Sequence, residues 1–389
     1  MLANSRKFLL ACLPIVILAA CGAPERLAPV PVSDTARAMP LGLANARFYA
    51  DADPGPMSKE ADEAIKRELL AYRAAGHKGP LPTAQFLAVS GGGDDGAFGA
   101  GLLVGWTEAG NRPEFKVVTG VSTGSLIAPF AFLGPAYDSV LKDVYTTIQP
   151  PDIYRPRNFA AAFFNDAMAD TSPLANLIAR YFDEKMLAAV AAEHRKGRLL
   201  LIGTTDLDAQ RPVIWNIGAI AASGHPRALA LVHQILRASA AVPGAFQPVM
   251  IEVDVDGKKY QEMHVDGGAI AQLFIYPGSI RPTGDRARRA YVIRNAKLDP
   301  NWAETERKTL SIAGRAISTM LASSGRNDVV RTYLISVRDR VDFNLAYIGS
   351  DFSAVHTADF DRDYMNKLYD YGYQQAKKGY RWRKTPPGL

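Results

Sequence analysis

The sequence VVTGVSTGSLIAPF at residues 117–130 decides the fold. A hydrophobic strand pattern leads into GVSTG at residues 120–124, and a helical pattern follows directly. A G-x-S-x-G motif between a strand and a helix is typical of a nucleophile elbow, because small flanking residues allow the sharp turn that exposes the serine hydroxyl. We therefore predict that Ser122 is a nucleophile and that Gly120 and Gly124 permit its turn. The alternative interpretation is an N-cap serine at an ordinary tight turn.

A second glycine-rich stretch, SGGGDDGAFGAG at residues 90–101, lies between a strand pattern, QFLAVS, and a predicted helix from about Ala97. It satisfies the G-x-G-x-x-G pattern of dinucleotide-binding turns. Such folds also need an acidic residue about 20 positions later, at the end of the next strand. This chain has the GVSTG motif there instead. A dinucleotide-dependent enzyme therefore ranks last among the possible functions, and no nucleotide cofactor is expected.

The remaining patterns alternate between strands and helices, which predicts an α/β fold with a mostly parallel sheet covered on both faces. Asp256-Gly257 between two β-rich runs predicts a hairpin with a two-residue turn, and residues 198–217 predict a second hairpin. The other predicted elements are the strands YVIRNA and RTYLISVRD and helices at 58–76 (with Ser58 as N-cap), 226–240, 304–324 and 361–380.

The N-terminus has the pattern of an export signal. Two basic residues precede an apolar run of 13 residues at 8–20, which is too short to span a bilayer as a helix. The sequence LAACG at residues 18–22 resembles the lipobox of bacterial lipoproteins. This resemblance implies that residues 1–20 are removed and that Cys21 is acylated. By the same resemblance, Gly22 directs the protein to the outer membrane of the bacterial cell envelope.

The predicted organisation has three parts. Residues 1–20 are the signal peptide, residues 21–57 are a lipid-anchored linker rich in proline and alanine, and residues 58–389 form one domain that closes with a C-terminal helix. The chain has 45 basic and 39 acidic residues, and loss of the signal peptide with its two basic residues lowers the net charge from +6 to +4. A charge this small does not indicate nucleic-acid binding. Because Cys12 lies in the signal peptide, the mature chain keeps only Cys21 and forms no internal disulfide.

A third motif, Asp266-Gly267-Gly268, follows a predicted strand. The GGG loop, the G-x-S-x-G elbow and this D-G-G sequence resemble, in order and spacing, those of the patatin-like phospholipases. Two further segments are similar to that family: ILRASAAVPGAFQPV at residues 235–249 and the closing helix YMNKLYDYGYQQAKKG. The resemblance extends over about residues 84–380. It implies a patatin-like three-layer α/β sandwich with a mostly parallel central sheet.

The resemblance also implies the chemistry. Ser122 attacks a carboxylic ester and Asp266 accepts its proton, so that the protein is a serine acyl hydrolase of the lipase or phospholipase type with a Ser–Asp dyad. Gly267 and Gly268 leave the approach to Asp266 open, and no histidine, metal ion or cofactor is needed. The expected partners are a lipid or other acyl-ester substrate and the membrane that holds Cys21. The backbone amides implied for the oxyanion hole are those of Gly91, Gly92, Gly93 and Asp94.

The sequence departs from the family pattern in the glycine loop, where Asp95 occupies a position that is usually Arg or Lys. The backbone amides remain available, but a local positive charge is lost, and with it a reason to prefer anionic phospholipids. We predict that at least one of Asp94 and Asp95 caps the following helix. Two adjacent acidic residues without a third ligand do not predict a metal site.

Several alternatives stay open at this stage. Ser122, Asp266 and His356 have the chain order of an α/β-hydrolase triad, although a loop or surface position is the favoured interpretation of His356. A second alternative is a catalytically silent envelope lipoprotein that binds a lipid or a protein partner. His264 is predicted to be structural. The apolar residues 155–170 are expected either to line an acyl-chain pocket or lid, or to pack in the core.

Overall fold

The computed structural model of the protein describes residues 25–157 and 166–389. The predicted signal peptide 1–20, the lipidation site Cys21 and the middle of the segment 155–170 lie outside the described residues. Within the described part of the chain, no helix has both the length and the hydropathy to cross a bilayer.

The centre of the molecule is a sheet of nine strands. Five of them, in the spatial order β6, β3, β2, β10 and β11, run parallel to one another. The other four strands of the sheet pair antiparallel: β7 lies between β6 and β1, and β9 pairs with both β6 and β8. A separate two-stranded ribbon consists of β4 and β5. The strands are β1 (Arg47–Tyr49), β2 (Ala84–Val89), β3 (Val117–Val121), β4 (Arg155–Pro156), β5 (Ala169–Asp170), β6 (Leu199–Asp206), β7 (Arg211–Asn216), β8 (Val249–Val255), β9 (Lys258–Asp266), β10 (Arg288–Arg294) and β11 (Val341–Tyr347).

Helices connect the parallel strands and cover the sheet. The described α-helices are α1 (Gly55–Ala74), α2 (Gly96–Glu108), α3 (Thr123–Leu133), α4 (Asp138–Thr147), α5 (Pro150–Ile153), α6 (Ser172–Tyr181), α7 (Glu184–Arg195), α8 (Ile217–Ala222), α9 (Ala228–Ser239), α10 (Thr309–Arg338) and α11 (Arg362–Lys377).

Both faces of the sheet are buried, as the side chains of β2 show. Leu87 and Val89 belong to a large core that includes residues of α2, α3 and α11. Phe86 and Ala88 point to the opposite face, where they pack in a second cluster with Val329 of α10. The near-continuous apolar sequence of β2 is the pattern expected of a parallel strand buried on both sides. The predicted three-layer α/β fold is therefore confirmed.

Both predicted hairpins are confirmed: β6 pairs with β7, and β8 pairs with β9. At the turn between β8 and β9, Asp256 and Gly257 have φ angles of 51° and 83°, the left-handed conformations that such a two-residue turn requires.

Two predicted elements are wrong. The segment RTYLISVRD is not a strand, because it continues α10, whose buried face includes Val329, Thr332 and Ser336 at helical spacing. Ser58 does not cap α1, because that helix begins at Gly55 with a proline in its first turn.

Part of the predicted linker 21–57 belongs to the domain. Residues of β1 pair with β7, and Met39 forms an isolated bridge with Asp254. Arg47 of β1 makes a buried, bidentate ion pair with Glu262 of β9. The structure therefore places the domain boundary before residue 58, because strand pairing and a buried charge pair fix this segment to the sheet.

Candidate active site

Ser122 lies in a strained turn between β3 and α3. Its φ and ψ angles are 55° and −130°, a conformation that costs a non-glycine residue on the order of 1–3 kcal/mol and is concentrated at functional sites. The neighbouring glycines make the turn possible: a Cβ on Gly124 would lie 2.2 Å from the Val89 carbonyl oxygen, and one on Gly120 would lie 2.3 Å from the Gly124 carbonyl oxygen.

Hydrogen bonds hold the backbone of this turn and leave the Ser122 hydroxyl unused by the helix. The Ser122 N–H donates to the Ser239 hydroxyl at 3.0 Å, and that hydroxyl donates to the Gly203 carbonyl at 2.7 Å. The side chain of Ser122 makes no capping hydrogen bond to α3. The N-cap interpretation of Ser122 is therefore wrong.

Asp266 lies at the end of β9, close to the turn that follows β3. Both strands pair with the same edge of β6, because β7 pairs with the other edge along residues 201–206 of β6. Val121 is opposite Gly203 and Asp266 is opposite Thr204, so Ser122 and Asp266 meet where the two strands end. The Ser122 side chain faces the Asp266 carboxylate closely enough to lower its pKa, and the carboxylate accepts the Gly268 N–H at 2.7 Å.

Both members of this pair are buried, and Asp266 is only 5% exposed. Burial raises the pKa of Asp266 to about 6, against the opposing effects of the Ser122 side chain and the Gly268 N–H. The carboxyl is therefore ionised at neutral pH but only weakly stabilised as an anion. A carboxylate with a raised pKa is a better proton acceptor than an ordinary aspartate.

The glycine loop presents free backbone amides beside the pair. The N–H groups of Gly92, Gly93 and Asp94 donate to no acceptor within residues 25–157 and 166–389. Gly91 differs, because its N–H donates to the Gln272 carbonyl at 3.1 Å. The predicted contribution of Gly91 to an oxyanion hole is therefore wrong: its backbone amide is already occupied. Gly91 does lie against Ser122, since a Cβ on Gly91 would be 3.0 Å from the Ser122 Cβ.

Asn295, just after β10, holds the glycine loop in position through hydrogen bonds to Ser90. Its side-chain amide donates to the Ser90 carbonyl at 2.9 Å, and its backbone N–H donates to the Ser90 hydroxyl at 2.9 Å. The same side chain accepts the Gly99 N–H of α2 at 3.0 Å. A Cβ on Gly92 would lie only 2.0 Å from the Asn295 carbonyl oxygen, so this close approach requires glycine.

Arg294 supplies the positive charge that the loop sequence lacks. This buried side chain donates to the Ser90 hydroxyl and to the Gly91 carbonyl, both at 3.1 Å. Burial lowers its pKa to about 10, which leaves it cationic at neutral pH, and the negative charge of Asp95 opposes the lowering. The cation therefore comes from the end of β10 rather than from the position that Asp95 occupies.

Neither acidic residue of the loop caps α2, so the predicted capping is wrong. Asp95 precedes the helix but makes no side-chain cap; its carboxylate instead accepts the Tyr364 hydroxyl at 2.5 Å. Burial raises the pKa of Asp95 to about 6. The carboxylate of Asp94 accepts the His356 Nε2–H at 2.7 Å and the Phe360 N–H at 2.8 Å. Both carboxylates thus connect the loop to the segment around α11.

The contact with Asp94 also excludes the triad alternative. Partial burial disfavours protonated His356, but attraction to Asp94 and their hydrogen bond outweigh this effect and raise the pKa of His356. Within the described residues, the partners of Asp266 are Ser122 and Gly268. The arrangement Ser122–Asp266–His356 is therefore wrong, because His356 pairs with a different carboxylate.

The described residues contain one group that could offer three metal-ligand atoms: Asp206, Glu262 and His264. These side chains already have partners. Glu262 is paired with Arg47, and His264 hydrogen-bonds to Glu262 at 3.2 Å and to the Thr204 hydroxyl at 3.0 Å. The prediction that His264 is structural agrees with these contacts.

Sequence reasoning missed four residues that support this site. Two of them, Arg294 and Asn295, follow the strand pattern YVI, and polar residues at the carboxyl end of a parallel strand are a signal that could have identified them. The other two, Ser239 and Gln272, carry no comparable signal in the sequence.

Comparison with known protein families identifies this part of the chain. Residues 87–277 match the Patatin family, described as patatin-like phospholipase. These residues are a patatin-like phospholipase domain. All three motifs of the candidate site fall inside it, whereas Arg294, Asn295 and His356 follow it.

Fifteen chains of solved structures match the protein. Among them are VipD from Legionella pneumophila, with 12% identity over 77% of this chain and 67% of that chain (TM-score 0.36), and full-length ExoU in complex with SpcU from Pseudomonas aeruginosa, with 12% identity over 76% of this chain and 52% of that chain (TM-score 0.33). The protein thus spans about half the length of ExoU. A comparison with curated protein sequences gave no match.

Proposed function

We propose that the protein is a serine-dependent acyl hydrolase that cleaves carboxylic esters of lipids. A patatin-like phospholipase domain is consistent with such an activity. The observation that carries the proposal is the juxtaposition of the Ser122 side chain, held in a strained turn where β3 and β9 end, with the buried carboxylate of Asp266, whose pKa is raised to about 6.

In the first half of the proposed reaction, the Ser122 oxygen forms a bond to the ester carbonyl carbon, and its proton passes to the Asp266 carboxylate. The carbonyl oxygen becomes an oxyanion. When the tetrahedral intermediate collapses, the bond to the alcohol oxygen breaks, and the alcohol leaves with the proton from Asp266. An acyl ester on Ser122 remains.

In the second half, water gives a proton to Asp266 and attacks the acyl ester. Collapse of the second intermediate returns a proton to the Ser122 oxygen and releases the carboxylic acid. Both intermediates carry an oxyanion, for which the unpaired amides of Gly92, Gly93 and Asp94 are suitable donors. Each such donor is typically worth about 10²–10³ in kcat.

We also propose that the domain is held at the membrane of a bacterial cell envelope by acylation of Cys21. The support is the lipobox-like sequence at residues 18–22. Several acyl chains anchor a protein far more firmly than one, since each buried CH₂ contributes about 0.8 kcal/mol.

The catalytic proposal is tested with the purified protein, a panel of short and long acyl esters that includes phospholipids, and a fluorophosphonate label. We expect wild-type protein to be labelled at Ser122 and Ser122→Ala to lose both labelling and turnover, because no acyl-enzyme forms. Ser318→Ala, at an exposed serine of α10, is the matched control. We expect kcat/KM to rise with pH through about 6 as Asp266 ionises.

Two results would contradict the proposal. Labelling of a serine other than Ser122 would remove the nucleophile assignment. Stoichiometric lipid binding with no turnover of any ester would favour the silent binding protein.

A further inference from the structure

An apolar cavity of about 310 Å³ lies beside Ser122 and Asp266. We name it the β6–α10 cavity, because residues of both elements line it. Its volume lies at the lower end of the range of about 300–1,000 Å³ that is typical of small-molecule sites. The side chains that line it include Val121, Ile270, Phe274, Tyr276 and Ile335.

The wall of the β6–α10 cavity begins next to both members of the Ser–Asp pair. Val121 precedes Ser122 in the chain, and Gly267 follows Asp266. Consecutive Cα atoms are about 3.8 Å apart, so the cavity starts one residue from each reacting group. The cavity is narrow at this end, because a Cβ on Gly267 would lie 3.0 Å from a Val121 methyl group.

Several polar side chains of the wall already have hydrogen-bond or ion-pair partners. The Thr204 hydroxyl accepts the Trp215 indole N–H at 2.7 Å and contacts His264 at 3.0 Å. Asp51 forms an ion pair with Arg211 at 2.9 Å. These groups therefore have little capacity left for a polar ligand.

At the mouth of the cavity, Arg331 pairs with Asp328 at 2.8 Å and is 55% exposed. An unbranched hydrocarbon chain gains by burial in an apolar interior, whereas a polar headgroup would lose its hydration there without replacement hydrogen bonds. Hydrocarbon is thus the ligand chemistry that the cavity favours.

We propose that the β6–α10 cavity binds the fatty acyl chain of the ester while the carbonyl group lies at Ser122 and the headgroup stays outside. This inference rests on the proposed function and adds the location of its acyl subsite. The expectation for residues 155–170 is separate from this inference, because the middle of that segment lies outside the described residues. Its described ends pair with each other as β4 and β5.

Ile335 is the position at which to test the subsite. It lies on α10, well separated in the chain from the reacting groups, and its Cδ1 would be 3.6 Å from a Cβ placed on Gly278. Ile335→Trp fills the cavity and Ile335→Ala enlarges it. Leu334→Trp is the matched control, because Leu334 is the adjacent residue, is 57% exposed and does not line the cavity.

The experiment measures kcat/KM of the full-length protein for p-nitrophenyl butanoate and p-nitrophenyl dodecanoate. A single methylene in a hydrophobic pocket is worth about 10–200-fold in specificity. We therefore expect Ile335→Trp to lower the dodecanoate-to-butanoate ratio at least about tenfold. Ile335→Ala is expected to shift the preference towards longer chains, and Leu334→Trp to leave the ratio at the wild-type value.

Failure of this inference is distinguishable from failure of the proposed function. If wild-type protein hydrolyses neither ester, the proposed function is wrong. If wild-type protein hydrolyses both and neither Ile335 variant changes the ratio, the acyl subsite is not in this cavity. An equal change in Leu334→Trp would also overturn the inference, because the effect would then not depend on cavity volume.

Discussion

Replacing Asp266 by asparagine is expected to abolish ester hydrolysis and, at neutral pH, to stabilise the protein. The asparagine Oδ1 can still accept the Gly268 N–H, but the side chain no longer accepts a proton from Ser122. The stability effect follows from the buried charge. In the folded protein the pKa of Asp266 is raised from 3.8 to about 6, so the folded state binds this proton more tightly than the unfolded chain does.

The sign and the size of the effect follow from this shift. Stability from the raised pKa is fully present below about pH 3.8 and is lost as the pH rises through about 6. The difference between a pKa of 3.8 in the unfolded chain and about 6 in the folded protein amounts to about 3 kcal/mol in the free energy of unfolding. Of this stability, the wild-type protein loses about 1.3 kcal/mol as the pH rises from about 5 to about 7. Asparagine does not titrate, so Asp266→Asn escapes this loss.

The assay is urea unfolding of wild type and Asp266→Asn, followed by tryptophan fluorescence at several pH values. The quantity of interest is the difference in the free energy of unfolding, which cancels the titration of all other groups. We expect the free energy of unfolding of Asp266→Asn, relative to that of wild type, to increase by about 1.3 kcal/mol from about pH 5 to about pH 7. Asp370→Asn, at an exposed position of α11, is the matched control. A difference that stays constant with pH would refute the reasoning.

Two further predictions concern the histidine of the loop contact and the N-terminal cysteine. His356→Ala is expected to lower kcat by less than about tenfold, because His356 contacts the Asp94 side chain rather than the reacting groups; a loss in the range of about 10²–10⁴, typical of a general base, would restore the triad. Cys21→Ala is expected to prevent incorporation of labelled palmitate and to release the protein from the membrane fraction, and a variant that still incorporates the label would exclude acylation at Cys21.

The sequence predicts the fold well where the residue types of a turn and the spacing of apolar residues on either side indicate the same elements. The glycine loop and the GVSTG elbow each join an apolar strand to a helix, and Asp256-Gly257 has the residue types that a two-residue turn needs. The C-terminal part of α10 was mispredicted because Thr332, Ile335 and Val337 are β-branched, which favours strands when considered locally. Tertiary packing of the buried helix face decides the outcome.

The residues of the candidate site also fall into those that a local motif predicts and those that only the tertiary structure reveals. Ser122 and Asp266 stand in short motifs whose residue types carry chemical meaning, so they could be identified from the sequence. Their supports are long-range contacts: Arg294 and Asn295 reach Ser90 across about 200 residues of chain. No local pattern encodes such a pairing. The same limitation explains the wrong roles predicted for Asp94 and Asp95, whose partners lie some 260 residues away.

The contacts of the glycine loop have a consequence for attempts to isolate a minimal enzyme. The recognised domain ends at residue 277, yet Arg294, Asn295 and His356 all follow it. A fragment cut to residues 87–277 would lose β10 and β11 from the sheet, and with them the cation and the amide that hold the loop in position. We therefore expect the smallest stable and active fragment to be larger than the recognised family segment, because residues after 277 hold the glycine loop in position.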